Sequence, residues 1–196
     1  MAGQTMRVDR AWKELSNASG QSFASFGEKG ENWNAPHFLD AAEFTAAFAV
    51  GYDWLHHAWT DQQKETIWTA IVTLGLQYGL EVCTNNAAYG WCGRPLTGNW
   101  NCVCNGGLTM GALTILRDDI TNTASRILNE TIPMGVANAT SDGTWTETAN
   151  YLYFGTTSHV DLLSLQRHRQ LVRVVSDESR MKSLSGVVIK TIDLRL

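Results

Sequence analysis

The stretch HFLDAAEFTAAFAVGYDWLHHAW, residues 37–59, decides the fold class. Phe44, Phe48, Tyr52 and Leu55 recur at spacings of four and three, the period that lines up one face of an α-helix. Alanines fill most neighbouring positions, which widens the apolar surface and predicts a helix buried on more than one side. Directly after it, Thr60 and Gln63 form a capping-box signature that starts a second helix. Its stripe is Ile67, Ile71, Leu74 and Tyr78, and it is expected to fray near Gly79.

Working outward, the chain stays helical. Residues 10–17 predict a short helix, followed by a loop rich in Gly, Ser and Asn. A loop of Asn, Gly and Pro covers residues 83–98. A third helix is expected over 101–116, where Gly106, Gly107, Gly111 and Ala112 allow a neighbouring helix to approach closely. A fourth is expected over 122–138, with Pro133 as a kink. The turn Ser141-Asp142-Gly143 precedes a fifth helix starting near Glu147. Strand-like alternation is confined to residues 186–194. The class read from this is all-α, built of antiparallel helical hairpins.

Composition narrows the function. Residues 1–156 hold eight Lys/Arg against fifteen Asp/Glu, whereas residues 157–196 hold seven against four. All the aromatic residues lie at or before Phe154, so the last 42 residues differ from the body in both charge and ring content. That shift sets the expected boundaries: an N-terminal helix and loop over 1–35, a main domain over 36–157, and a divergent basic tail over 158–196. The acidic body argues against nucleic acid as a partner, because phosphate binding needs clustered basic groups. No apolar run reaches the length of a membrane span, and the first twenty residues carry no signal-peptide pattern. Eight tryptophans in 196 residues is a heavy load, and such rings serve both as core filling and as stacking platforms in carbohydrate clefts. Three N-x-[ST] sequons, at Asn17, Asn129 and Asn138, are compatible with a secretory route.

The cysteines and histidines give no metal centre. Cys102 and Cys104 are two apart, which on a helix turns them about 200° from one another. Cys83 and Cys92 are nine apart, and a zinc site needs about four paired ligands. Buried packing thiols, or one disulfide of open pairing, is the reading. His56 and His57 are adjacent, so on a helix they cannot face one ligand, and a surface pair is expected.

The amides are more informative. In GNWNCVCNGG, residues 98–107, Asn99, Asn101 and Asn105 cluster where a loop enters a helix. One helix cap would account for one asparagine but not for Asn-Trp-Asn. A helix start also offers free N–H groups and a positive dipole end, both suited to an anionic ligand. In DGTWTETANYLYFGT, residues 142–156, Trp145, Tyr151 and Tyr153 surround Glu147. That set suits a sugar cleft with a tyrosine placed for proton transfer, or else aromatic plugging of the core. Glu147 alone is not the carboxylate pair of a glycosidase, and Asp142 first signals a turn.

These three segments, in this order, resemble the heparinase II/III-like polysaccharide lyases, the chondroitin AC/alginate lyase type of helical toroid. The shared pattern is an alanine-rich helix ending in Gly-Tyr-Asp-Trp-Leu, an Asn-rich segment opening a helix, and an Asp-Gly-x-x-x-Glu-x-x-x-Tyr loop. It covers roughly residues 33–157. The resemblance implies an (α/α) toroid, here partial and without the family's β-sandwich domain, in a shortened chain. It implies β-elimination on an acidic, uronate-containing polysaccharide, no cofactor, and an extracellular location. Carried over residue by residue, Tyr151 matches the catalytic tyrosine, and Asn99 or Asn101 the asparagine that neutralises the uronate carboxylate. Trp100, Trp145, Glu147, Tyr153 and Asn105 complete the expected substrate-binding set. The chain departs from the family in having Trp100 where many members have a histidine beside the asparagine, and His159 and His168 are poor substitutes. The rival expectations are a non-catalytic carbohydrate-binding module and a fragment of an (α/α)-barrel glycoside hydrolase with carboxylates drawn from Asp53, Asp142 and Glu147.

Overall fold

A computed structural model describes residues 2–20, 33–85, 98–136 and 147–157. Asp142, Trp145, the sequon at Asn138, His159, His168, the strand-like segment at 186–194 and the basic tail lie outside the described residues. Every regular element among the described residues is helical. Helix α1 spans Ala2–Ala18, α2 Phe38–Trp54 and α3 Asp61–Ala70. A π-helical turn, Ile71–Leu76, carries α3 into α4, Gln77–Asn85. Helix α5 is Asn99–Ile115, α6 is Thr123–Val136, and a last helix, α7, covers residues 149–157.

The expected start of α3 is present in full: the Thr60 hydroxyl accepts from Gln63 N–H at 3.3 Å, and the Gln63 side chain accepts from Thr60 N–H at 2.9 Å. Its far end differs from the expectation. The helix does not fray at Gly79 but runs on to Asn85, and its buried face moves by one residue on the way. Ile67 and Ile71 are buried as the stripe requires, yet through and beyond the π turn the buried positions include Gly75, Leu76, Gly79, Leu80 and Val82, while Leu74 is half-buried and Tyr78 is exposed. A π turn adds a residue to the repeat, so every later side chain is displaced around the helix. Helix α1 is also longer than expected.

Helix α2 buries Phe38, Ala41, Ala42, Thr45, Phe48, Ala49 and Tyr52, the wide face that its alanines foretold. Trp33 is buried against it, with its ring 5.5 Å from Phe44 and 4.7 Å from Phe48, and its indole N–H donates to the Ala18 carbonyl at 2.7 Å. Truncating a core ring of this kind costs about 3–5 kcal/mol. One side chain thus locks the end of α1 to α2.

Helix α5 is the centre of the domain: every residue in it except Trp100 is buried. Gly107 lies directly against the Ala42 carbonyl, and Thr45 packs between Gly75 and Gly111. His37 meets Trp100 at one end, and Tyr52 meets Asp118 at the other. Helices α2 and α5 therefore run parallel, side by side, with α3–α4 returning antiparallel to α2. A short link joins α5 to α6, where Asp119 accepts from the N–H groups of Thr121 and Ala124 at 2.8 and 2.6 Å.

The Tyr52 hydroxyl donates to Asp118 Oδ2 at 2.9 Å. Burial first, then this bond and the Asp118 charge, push the Tyr52 phenol well above its ordinary range. A raised folded-state value means the contact stabilises fully below about pH 10, and the gain is lost as pH rises beyond that. Tyr52→Phe is expected to cost about 1–2 kcal/mol at neutral pH, read by denaturant unfolding, and the difference from wild type should shrink in strong alkali.

Candidate functional site

The parallel arrangement brings the starts of α2 and α5 to one end of the domain. Helix α5 opens on Gly98, whose φ of 101° is a left-handed conformation that favours glycine. As the residue before the first helical turn, Gly98 has no side chain to cap it. The cap comes from far along the chain. Asn99 N–H donates to Glu147 Oε2 at 2.5 Å, and Asn99 Nδ2 donates to Glu147 Oε1 at 2.9 Å. A Cβ on Gly98 would stand 3.1 Å from Oε1, so glycine also leaves room for the carboxylate. A negative charge on two N–H donors at a helix start is electrostatically favourable. The helix start expected to receive an anionic ligand thus receives the chain's own carboxylate.

This contact joins the second and third sequence motifs. Glu147 stands two residues before α7, whose first turn is closed by Leu152 N–H donating to the Thr148 carbonyl at 3.0 Å. Tyr151 follows one turn after Glu147 and Tyr153 two residues later, and both are exposed, at 51% and 65%. Their rings are available to a ligand rather than plugged into the core.

Trp100 is half-buried, and the His37 ring meets its face edge-on with centroids 4.8 Å apart. His37 stands at the position before the first turn of α2. Its Nδ1 is 3.4 Å from Asp40 Oδ2, which also accepts from Asn34 Nδ2 at 2.6 Å. An imidazole oriented by a carboxylate therefore sits beside Trp100, the residue next to Asn99. The sequence reading missed it, although the spacing of His37 and Asp40 at a helix start was a visible signal.

Asn101 and Asn105 serve a different purpose. Asn105 Nδ2 donates at 2.7 Å to both the Asn101 carbonyl and Asn101 Oδ1. The Thr109 hydroxyl donates to the Asn105 carbonyl at 2.6 Å and pairs at 2.8 Å with Thr131 of α6. All four residues are buried. They form a polar ladder along α5 toward α6, and Asn105 Oδ1 has no hydrogen-bond partner among the described residues. Among the described residues the hydrogen bonds to Glu147 come from Asn99.

The other candidates separate from this end. Asp53 lies near the far end of α2, lining a pocket of about 360 Å³ with Tyr52, His56, His57, Arg117 and Asp118. A 17-residue helix is about 25 Å long, so Asp53 and Glu147 are not a pair across one sugar ring. His56 and His57 flank that second pocket at the helix end, with ring centroids 5.8 Å apart. Cys102 and Cys104 are buried thiols, and Cys83 is disulfide-bonded. Burial, then the charge of Glu43 and the neighbouring Cys102, hold the Cys104 thiol well above its usual range, so it stays protonated and unreactive. Among the described residues no three His, Cys, Asp or Glu side chains are grouped to hold a metal ion. No helix among them is long and apolar enough to cross a membrane. No protein-family model matches the chain, and no curated protein sequence matches it.

Proposed function

We propose that the protein is a polysaccharide-lyase-like domain that cleaves a uronate-containing polysaccharide by β-elimination. The observation that carries this reading is the double hydrogen bond between Asn99 and Glu147, which joins the asparagine motif to the segment bearing Tyr151. Helices α2 and α5 run parallel and each is followed by a returning helix, a hairpin order that supports the reading of a partial (α/α) toroid. The disulfide at Cys83 suits an oxidising, extracellular setting.

In the proposed reaction the Asn99 amide faces the uronate carboxylate. Its Nδ2 carries a second hydrogen beyond the one given to Glu147. Donation to the carboxylate favours the charge that develops when the C5 proton leaves. The C5 proton passes through the Tyr151 oxygen to the glycosidic oxygen at C4 as that oxygen departs. The C4–O bond breaks and a C4–C5 double bond forms. His37, oriented by Asp40, provides the imidazole that the Asn-Trp sequence itself lacks, and Trp100 offers a ring to the sugar face. Glu147 is a positioning residue: it fixes Asn99 rather than touching the substrate. Asn101 and Asn105 stiffen α5 beneath them.

Glu147→Ala is the test of this arrangement. Misplacing a positioning group by about 1 Å costs on the order of 10²-fold, so kcat/KM on a cleaved uronate polymer should fall by about that factor. Glu147→Gln should lose less, because its amide oxygen still accepts one of the two bonds. Unchanged turnover in Glu147→Ala would remove the basis of the proposal. The exposed rings of Tyr151 and Tyr153 favour one other reading, glycan binding without turnover, in which binding persists and no product forms.

A further inference from the structure

A second polar groove, of about 460 Å³, lies between α1 and α3 and shares no residue with the site above. Trp12 and Ser16 line it from α1, Ser19 from just beyond its end, and Gln62, Gln63 and Thr66 from α3, with Thr60 at the corner. No lining residue is ionisable. A charged ligand would lose hydration there and gain no partner. The N–H groups at the start of α3 are taken up by the Thr60–Gln63 capping box rather than left for an anion.

Three of the four lining hydroxyl groups are committed as donors, while that of Thr60 accepts from Gln63 N–H. Ser16 donates to the Lys13 carbonyl at 3.2 Å, Ser19 to the Ser16 carbonyl at 2.8 Å, and Thr66 to the Gln62 carbonyl at 3.0 Å. Each has thereby spent its single proton and keeps lone pairs as acceptors. Gln62 is exposed and brings an amide that both donates and accepts. Trp12 is half-buried and is backed by Trp59 with centroids 6.1 Å apart. Trp59 is itself anchored by its indole N–H on the Gly51 carbonyl at 3.0 Å. The groove thus combines a braced indole, a set of hydroxyl acceptors and a flexible amide, without charge.

From this we infer a second binding site, for an uncharged sugar ring. A pyranose presents hydroxyl protons to the Ser and Thr acceptors and a C–H face to the indole, which is what this lining complements. A glycan held here would tether the protein to its polymer away from the proposed site of cleavage. The inference does not depend on catalysis.

The experiment uses the full chain labelled with ¹⁵N at tryptophan, titrated with methyl β-glucoside and, separately, N-acetylglucosamine. The indole N–H signal that disappears in Trp12→Ala identifies Trp12. Saturable movement of that signal at millimolar sugar, unchanged in Asn99→Ala and weakened about three- to tenfold in Gln62→Ala, is the expected result. Sodium glucuronate should bind no more tightly than the neutral sugars. Because Gln62 is exposed, its variant keeps the test meaningful even if Trp12→Ala disturbs folding. Absence of any shift at about 50 mM of either neutral sugar would overturn the inference. So would a shift that Gln62→Ala leaves intact, that Asn99→Ala abolishes, or that glucuronate produces more strongly. Elimination activity is read separately on a uronate polymer, so the failure of either reading is distinguishable from that of the other.

Discussion

Tyr151→Phe is expected to lower the rate of uronate elimination by about 10²–10⁴-fold, the usual share of a positioned proton-transfer group. The substitution removes one oxygen from a side chain that is half exposed, so the melting temperature should hardly move. KM should change little, because the aromatic ring is retained. Loss of kcat at constant KM and constant stability is therefore the signature of Tyr151 as the proton carrier. Tyr153→Phe provides the contrast: Tyr153 is more exposed still, carries no assigned proton, and should retain activity within a few-fold. If the two variants behave alike, Tyr151 has no special place in the chemistry.

Gly107→Ala should be strongly destabilising. In an isolated helix, alanine is favoured over glycine by about 1 kcal/mol, so propensity alone predicts a gain. Packing reverses the sign. A Cβ at position 107 would run into the backbone carbonyl of Ala42, and backbone, unlike a side-chain tip, has no rotamer into which to withdraw. Helices α2 and α5 would have to separate along the face that carries Phe38, Ala42 and Phe48 on one side and Cys104 and Leu108 on the other. The expected loss is about 3 kcal/mol or more. For a chain of this size that lowers the melting temperature by about 6–12 °C. A melting temperature equal to or above that of wild type would show that the helices are not held this closely.

Much of this was legible in the sequence, and the limits have physical causes. The alanine-rich stretch 37–59 announces a helix buried over a wide face because burial of that kind requires small residues at regular spacing. The capping box at Thr60 is local, so two residue types three positions apart suffice to read it. The one-residue turn of the face beyond Ile71 was not legible. A π turn has no strong residue signature, and the face is set by what packs on it. Nor could sequence distinguish the three asparagines. Asn99 differs from Asn101 and Asn105 through a carboxylate 48 positions later, and pairing across that distance is decided by how α5 and α7 meet. The role expected for Glu147, contact with substrate, gives way to one of positioning in the proposed site for the same reason. His37 was overlooked because the apolar period of the helix it opens dominates that stretch. Only the contact with Trp100 reveals that a histidine stands beside the asparagine motif after all.

The chemistry at the centre of this account leaves a mark on the product that no rival shares. Alginate, heparan sulfate and chondroitin should each be incubated with the protein, and the masses of the released oligosaccharides measured. β-Elimination breaks the C4–O bond without adding water, so the new non-reducing end carries a double bond and the product is lighter by one water than its hydrolytic counterpart. Such unsaturated ends are expected from at least one of these polymers, and they should disappear in Tyr151→Phe. Fully hydrated ends would identify a hydrolase, and intact polymer that nonetheless binds would identify a carbohydrate-binding module; either result contradicts the lyase assignment.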